Sequence, residues 1–205
     1  MSEDSYLTIS EPGSAQTRVL GSRFLGVALG ISSETELQES LESEKRRYHD
    51  ATHWCFAART GTVPDVKERS SDAGEPKGSA GIHILHEIQK RELTNTLVIV
   101  TRYFGGTKLG TGNLGRAYGE CASLALDAST TALRQLVETL QVECSYDLQS
   151  IVYHVAQRAG GQVEPVASAQ NAAFTVRLPR SAVGYFRTTL DEDARGQIKI
   201  RQVKA

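Results

Sequence analysis

Three things are scarce in this chain of 205 residues: cysteine, long apolar runs and an excess of charge of either sign. Cys55, Cys121 and Cys144 are an odd, widely separated set without a CxxC pair. That fits a reducing compartment better than a disulfide framework, and all three are read as buried thiols. No window approaches the roughly 18 apolar residues of a membrane span. The start, Met1-Ser2-Glu3-Asp4-Ser5-Tyr6, is acidic and lacks the apolar segment of a secretory signal. The expectation is a cytoplasmic protein with no membrane partner. A formal charge of −1 excludes a generically basic nucleic-acid binder, although a local basic patch can bind phosphate within a neutral total. Metal signatures are missing as well. His83 and His86 share a helical face with Glu87 beside them, but HExxH spacing is absent, and zinc needs three or four converging ligands. No metal and no cofactor are expected.

What is present is a 40% apolar, 23% charged composition, ordinary for a chain with a real core. Residues up to about Gln16 are polar, with Pro12 and Gly13, and read as a loosely held leader. A strand is expected through Ser22–Leu29. Ser33-Glu34-Thr35-Glu36 has capping-box spacing for a helix with Leu37 and Leu41 inward and a solvated charge run to Arg47. A second strand spans about Thr52–Arg59 and gives way to a long polar loop, Gly61 to Ser79, functional or mobile. A helix over Ala80–Arg91 and a buried β-branched strand over Asn95–Thr101 follow. Asn113 is the expected cap of the next helix, with Leu114, Ala117, Cys121, Leu124 and Ala125 on its core stripe. Beyond Thr130 the pattern restarts as strand Gln135–Cys144, helix Asp147–Ala159, strands Gln162–Ser168 and Ala172–Leu178 with a turn at Asn171, helix Ser181–Asp193 and strand Gln197–Val203. This βαββαβ order fits a ferredoxin-like module. The fold class is α+β, with domains at 17–129 and 133–205.

The densest signal is Thr101 to Gly119, a glycine-rich loop between an apolar strand and an amphipathic helix. From Thr94 to Gly119 the only formal charges are Arg102, Lys108 and Arg116. Gly110-x-Gly112-x-x-Gly115 is a literal GxGxxG, but Phe104–Leu109 separate it from the strand, and Asp127 falls toward the helix end instead of after a second strand. Walker A fails because no Gly-Lys-Ser/Thr closes the loop. Phosphate contact needs only backbone donors, a helix dipole and a cation. Arg102, Gly105, Gly106, Thr107, Lys108, Gly110, Gly112, Asn113 and Arg116 are therefore the candidate anion or partner contacts. Close packing of loop on helix is the other account of the glycines. His53, Asp72, Glu75 and Lys77 are candidates for a second loop of the same cleft. His53 and Cys55 share a strand face, but no orienting acid is visible, and Cys55 is assigned to the core.

Ser22-Arg23-Phe24, Asp50-Ala51-Thr52-His53, Ser71 to Gly81 (SDAGEPKGSAG) and Arg102 to Gly110 (RYFGGTKLG) occur in this order, and together they resemble the IMPACT/YigZ family. The resemblance implies a first domain with the fold of elongation factor G domain IV and of the second domain of a small-subunit ribosomal protein. It also implies a tail like elongation factor G domain V. Its eukaryotic relatives regulate translation by competing for an activator of an initiation-factor kinase. The implied partners are RNA, the ribosome or a translation-regulatory protein. The chain departs from the family pattern at Ala73, where a second Asp is usual, at Gly112-Asn113-Leu114-Gly115-Arg116 in place of Gly-Gly-Leu-Val-Arg, and at Ile82-His83, where a Pro is common. Two alternatives stand beside a non-enzymatic translation-associated protein. One is an enzyme for a phosphorylated small molecule with Asp72 or Glu75 as base; the other is a pure protein-binding module.

Overall fold

The computed structural model describes residues 4–168 and 170–202, and the chain divides into two compact units. One is Tyr6–Arg134; the other runs from Gln135 and includes Asp4 and Ser5.

In the Tyr6–Arg134 unit an antiparallel sheet has the order β2 (Gly13–Val19), β3 (Ser22–Gly30), β6 (Thr96–Tyr103), β4 (His53–Thr60), β5 (Lys67–Ser71). The β-branched run of β6 is buried because both sheet faces are covered. Val98 and Val100 meet α2 (Gly81–Lys90) and α3 (Thr111–Asp127) through Ile84, Ile88, Tyr118 and Cys121. Leu97 and Ile99 point the other way, onto Leu37 and Leu41 of α1 (Glu34–Arg47). The start of α1 is capped as its sequence suggests: Ser33 Oγ accepts from the Glu36 amide at 3.2 Å, and the Glu36 carboxylate accepts from the Ser32 amide at 2.7 Å.

Three expectations need correction here. The residues read as a leader form β1 (Ser5–Glu11), which pairs with β7 (Thr130–Gln135), and β2. Ile9 is buried and Gly13 to Val19 ladder onto β3, so these polar residues are held through their backbone. The loop Gly61–Ser79 contains β5, an edge strand whose Lys67, Glu68 and Arg69 are exposed. An edge strand with charged side chains guards against edge-to-edge pairing and carries no apolar alternation to betray it. Finally, Leu124 is exposed, while Leu114, Ala117, Cys121 and Ala125 of the same stripe are buried.

The second unit is an antiparallel sheet in the order β11 (Lys199–Gln202), β8 (Val137–Cys144), β10 (Ala172–Pro179), β9 (Gln162–Val166). Its helices are α4 (Gln149–Arg158), preceded by a 3-10 turn at Tyr146–Leu148, and α5 (Ala182–Asp193). Leu140, Val142, Phe174 and Val176 share one sheet face and pack on Val152, Val155, Phe186 and Leu190 of the two helices. The turn expected at Asn171 includes Ala169, and the last strand was expected to reach Val203; both of those residues lie outside the described ones. Asp4 joins this unit, its carboxylate accepting from the Ser181 amide at 2.6 Å.

Candidate functional site

Arg102 is the cross-strand partner of His53 on one side and of Phe24 on the other. A guanidinium in the middle of a sheet must find acceptors or lose more than it gains. Nη1 donates to Glu75 Oε1 at 2.6 Å and Nη2 to Ser22 Oγ at 3.1 Å. Both partners of the ion pair are buried, with side-chain exposures of 5% for Arg102 and 4% for Glu75. The same Glu75 oxygen accepts from the Tyr118 hydroxyl at 2.8 Å and lies 3.8 Å from His53 Nε2. Burial, then the neighbouring Cys55 and the Glu75 carboxylate, push the Tyr118 hydroxyl well above the ordinary tyrosine range, so it acts as a donor. Arg102 Nε is buried with no hydrogen-bond partner among the described residues.

Glu75 reaches this position because the chain reverses at Ala73 and Gly74, whose φ values are 45° and 87°. The Glu75 amide donates to the Asp72 carbonyl at 2.9 Å. His53 Nδ1 lies 2.9 Å from the Ala73 carbonyl oxygen. A carbonyl only accepts, so Nδ1 carries the hydrogen, and in the neutral ring Nε2 presents a lone pair. Asp72 has a separate set of partners from Glu75. Its carboxylate accepts from the amides of Gly78, Ala80 and Gly81 at 2.7, 2.9 and 2.8 Å, closing the start of α2, where Ala80 has no side-chain cap of its own. Burial alone would raise the Asp72 carboxyl; those amides outweigh it and hold the group below its ordinary value. Burial pushes the Cys55 thiol up to about 12, which removes it as a nucleophile at neutral pH.

Opposite this floor runs Phe104 to Gly110. Ser22 Oγ also accepts from the Gly105 amide at 3.2 Å, and a Cβ on Gly105 would sit 1.9 Å from the carbonyl carbon of Gly21. Close approach therefore demands glycine there. The cap of α3 is Gly110, at φ 74°, with no side-chain hydrogen bond, which corrects the assignment to Asn113. Asn113 lies inside the first turn, with Nδ2 donating to the Leu109 carbonyl and Oδ1 accepting from Arg116. Because Gly110 lacks a capping side chain, the first α3 amides keep no side-chain acceptor. Gly115 has a packing reason: a Cβ there would be 2.3 Å from His83 Nε2, so this glycine lets α2 and α3 pack closely.

Floor and loop enclose one cleft of about 360 Å³. Of the residues read from sequence it takes His53, Glu75, Arg102, Lys108 and Gly110, and it adds Pro76, Phe104, Leu109, Thr111 and Leu114. Asp72, Lys77, Gly105, Gly106, Thr107, Gly112, Asn113 and Arg116 do not line it. Tyr118 and Ser22, which hold the floor, were missed. The signal for Tyr118 was a tyrosine four residues beyond Leu114 on a buried face, whose hydroxyl needs a partner. A depression of similar size, about 370 Å³, lies around Tyr6, Thr8 and Asn95, with Glu36 as its single formal charge. It has no cation. Among the described residues no group of three or more His, Cys, Asp and Glu is placed to hold a metal ion. No helix there is long and apolar enough to cross a membrane.

Residues 20–126 match the family model described as the Impact N-terminal domain. The IMPACT family member YvyE of Bacillus subtilis is 30% identical over 97% of this chain and 91% of its own length. The IMPACT family member YigZ of Escherichia coli is 26% identical over 98% and 99%. A crystal structure of a hypothetical protein is 26% identical, with a TM-score of 0.69 over 98% of both chains. A family domain covering more than half of the chain, with such relatives along nearly all of it, makes this protein a member of the IMPACT family.

Proposed function

We propose that this chain is a translation-associated binding protein that meets RNA phosphate at the rim of the cleft, through Lys108 and the backbone from Gly105 to Asn113. The observation that carries the reading is the lysine beside an uncapped helix start. Lys108 is exposed, has no ion-pair partner among the described residues, and lines the same cleft as Gly110 and Thr111. Free amides and the helix dipole favour an anion there. Arg116, in the second turn of α3, is also an exposed cation. Arg102 takes a different part from that expected of it. Its charge is spent on Glu75, so it shapes the cleft and does not contact the partner.

The translation setting rests on the family, whose eukaryotic members regulate translation. An elongation factor G domain IV likeness for Tyr6–Arg134 belongs to the same proposal. For the second unit, a βαββαβ order with strands arranged fourth, first, third, second supports a ferredoxin-like reading.

Lys108→Glu tests the assignment. Binding to ribosomes or single-stranded RNA at moderate salt should fall, and the slope of log K against log salt should shrink by about 1 for the lost phosphate contact. Unchanged binding removes this rim from the interface, and nuclease-resistant pull-down of a protein turns the reading toward an acidic protein surface. A second reading, an enzyme for a phosphorylated small molecule, is favoured by one observation: Glu75 and His53 both face the cleft. Asp72 is not its base, since its carboxylate is occupied by three amides. Turnover of a phosphate ester that is lost in Glu75→Gln would support it.

A further inference from the structure

Donors and acceptors are sorted around the cleft. At the floor, Glu75 offers carboxylate oxygens only. In its neutral form His53 offers a lone pair at Nε2, because the Nδ1 hydrogen is committed to the Ala73 carbonyl. Glu75 Oε1 already accepts from Arg102 and Tyr118 and stands 3.8 Å from His53 Nε2, too far for a hydrogen bond between them, so the histidine lone pair is left for a donor from outside, with the carboxylate beside it as a second acceptor. At the mouth, Lys108 and the first amides of α3 are donors only. Between mouth and floor the walls are apolar, formed by Pro76, Leu109, Leu114 and Phe104. Phe104 is 47% exposed, with the Arg102 guanidinium 5.5 Å from its ring centroid. An exposed aromatic held in this way is a stacking platform for a base. A volume of about 360 Å³ falls at the lower end of the roughly 300–1,000 Å³ typical of small-ligand sites.

We infer that the cleft takes one nucleotide, phosphate outward on Lys108 and the start of α3, base inward beside Phe104 with its donor edge on Glu75 and His53. This rests on the reading of the rim as a phosphate contact and adds the group that follows the phosphate inside. Guanine matches best. Its ring N–H and exocyclic amine are adjacent donors, whereas uracil flanks its single N–H with carbonyls that two acceptors at the floor would repel. The nucleotide is either free or a nucleotide unstacked from an RNA strand; the chemistry of recognition is the same.

Calorimetric titration of the full chain with GMP, UMP, guanosine and inorganic phosphate is the test. GMP should bind at least about tenfold more tightly than each of the other three. Phe104→Ala, an exposed substitution that spares the core, should weaken GMP by about fivefold to a hundredfold, the range for loss of one stacking aromatic. Equal affinity for GMP and UMP, or phosphate binding as tightly as GMP, overturns the inference. So does a lack of GMP binding while single-stranded RNA still binds and Lys108→Glu abolishes it; the rim reading then survives alone. If RNA binding also fails, both fall. A guanine-containing single strand that displaces GMP and binds more tightly identifies the strand as the source; GMP unaffected by the strand identifies the free nucleotide. Either result upholds the cleft assignment.

Discussion

Arg102 and Lys108 are six residues apart and line the same cleft, yet they do opposite work. Arg102 is buried, bonded to Glu75 and Ser22 and stacked near Phe24; Lys108 stands in solvent. The difference follows from their carriers. Arg102 is on a strand covered on both faces, where a charge is tolerated only with its partners. Lys108 is on a loop whose glycines keep side chains out of the way. Charge in the strand is neutralised by its neighbours, and charge in the loop has no ion-pair partner among the described residues.

The sharpest way to break this contrast is to remove one partner of the buried pair. Arg102→Ala leaves the buried Glu75 carboxyl without its guanidinium partner and should cost about 3–5 kcal/mol, read as a fall in the urea midpoint. A loss no larger than that of a surface change would mean the pair is not structural. Next comes Asp72→Asn, which weakens the closure of α2 and should cost about 0.5–2 kcal/mol, the range for loss of a helix cap. The Asp72 carboxyl is held below its ordinary value. Its contribution is therefore fully present above the unfolded carboxyl pKa, near 3.9, and is lost as pH falls through the lower folded value. Wild type should lose stability over that acid window more steeply than Asp72→Asn. Lys108→Glu should change stability by no more than about 0.5 kcal/mol while lowering RNA binding; if it destabilises as Arg102→Ala does, the distinction between the two cations collapses. The smallest effect is chemical. Burial pushes Cys55 up to about 12 and Cys121 up to about 11, so in native protein at pH 8 both should resist alkylation that proceeds in urea, as mass spectrometry would show.

Much of the central sheet was readable before the structure. The β-branched run of β6 and the serine before α1 each carry their physical reason locally. What escaped depends on partners remote in sequence. β5 and the strands between Ser5 and Val19 are held by backbone ladders and carry charged or small side chains, so no periodicity marks them. Asn113 was a reasonable cap by residue type, but the chain turns three residues earlier, at Gly110 with positive φ. Arg102 looked like a free cation because its neutralising carboxylate, Glu75, lies 27 residues upstream. The two loops of the cleft were both visible as segments; their meeting depends on His53 and Arg102 standing side by side across β4 and β6.

One bend ties the cleft to the rest of its unit. Asp72 and Glu75 belong to the same turn, closed by the Glu75 amide on the Asp72 carbonyl, but their side chains serve opposite clients, the amides of Ala80 and Gly81 on one side and Arg102 on the other. Any occupant that tugs at Glu75 therefore pulls on the mooring of α2 as well. Deuterium uptake at Ala80 and Gly81 is a remote gauge of whether the cavity is filled.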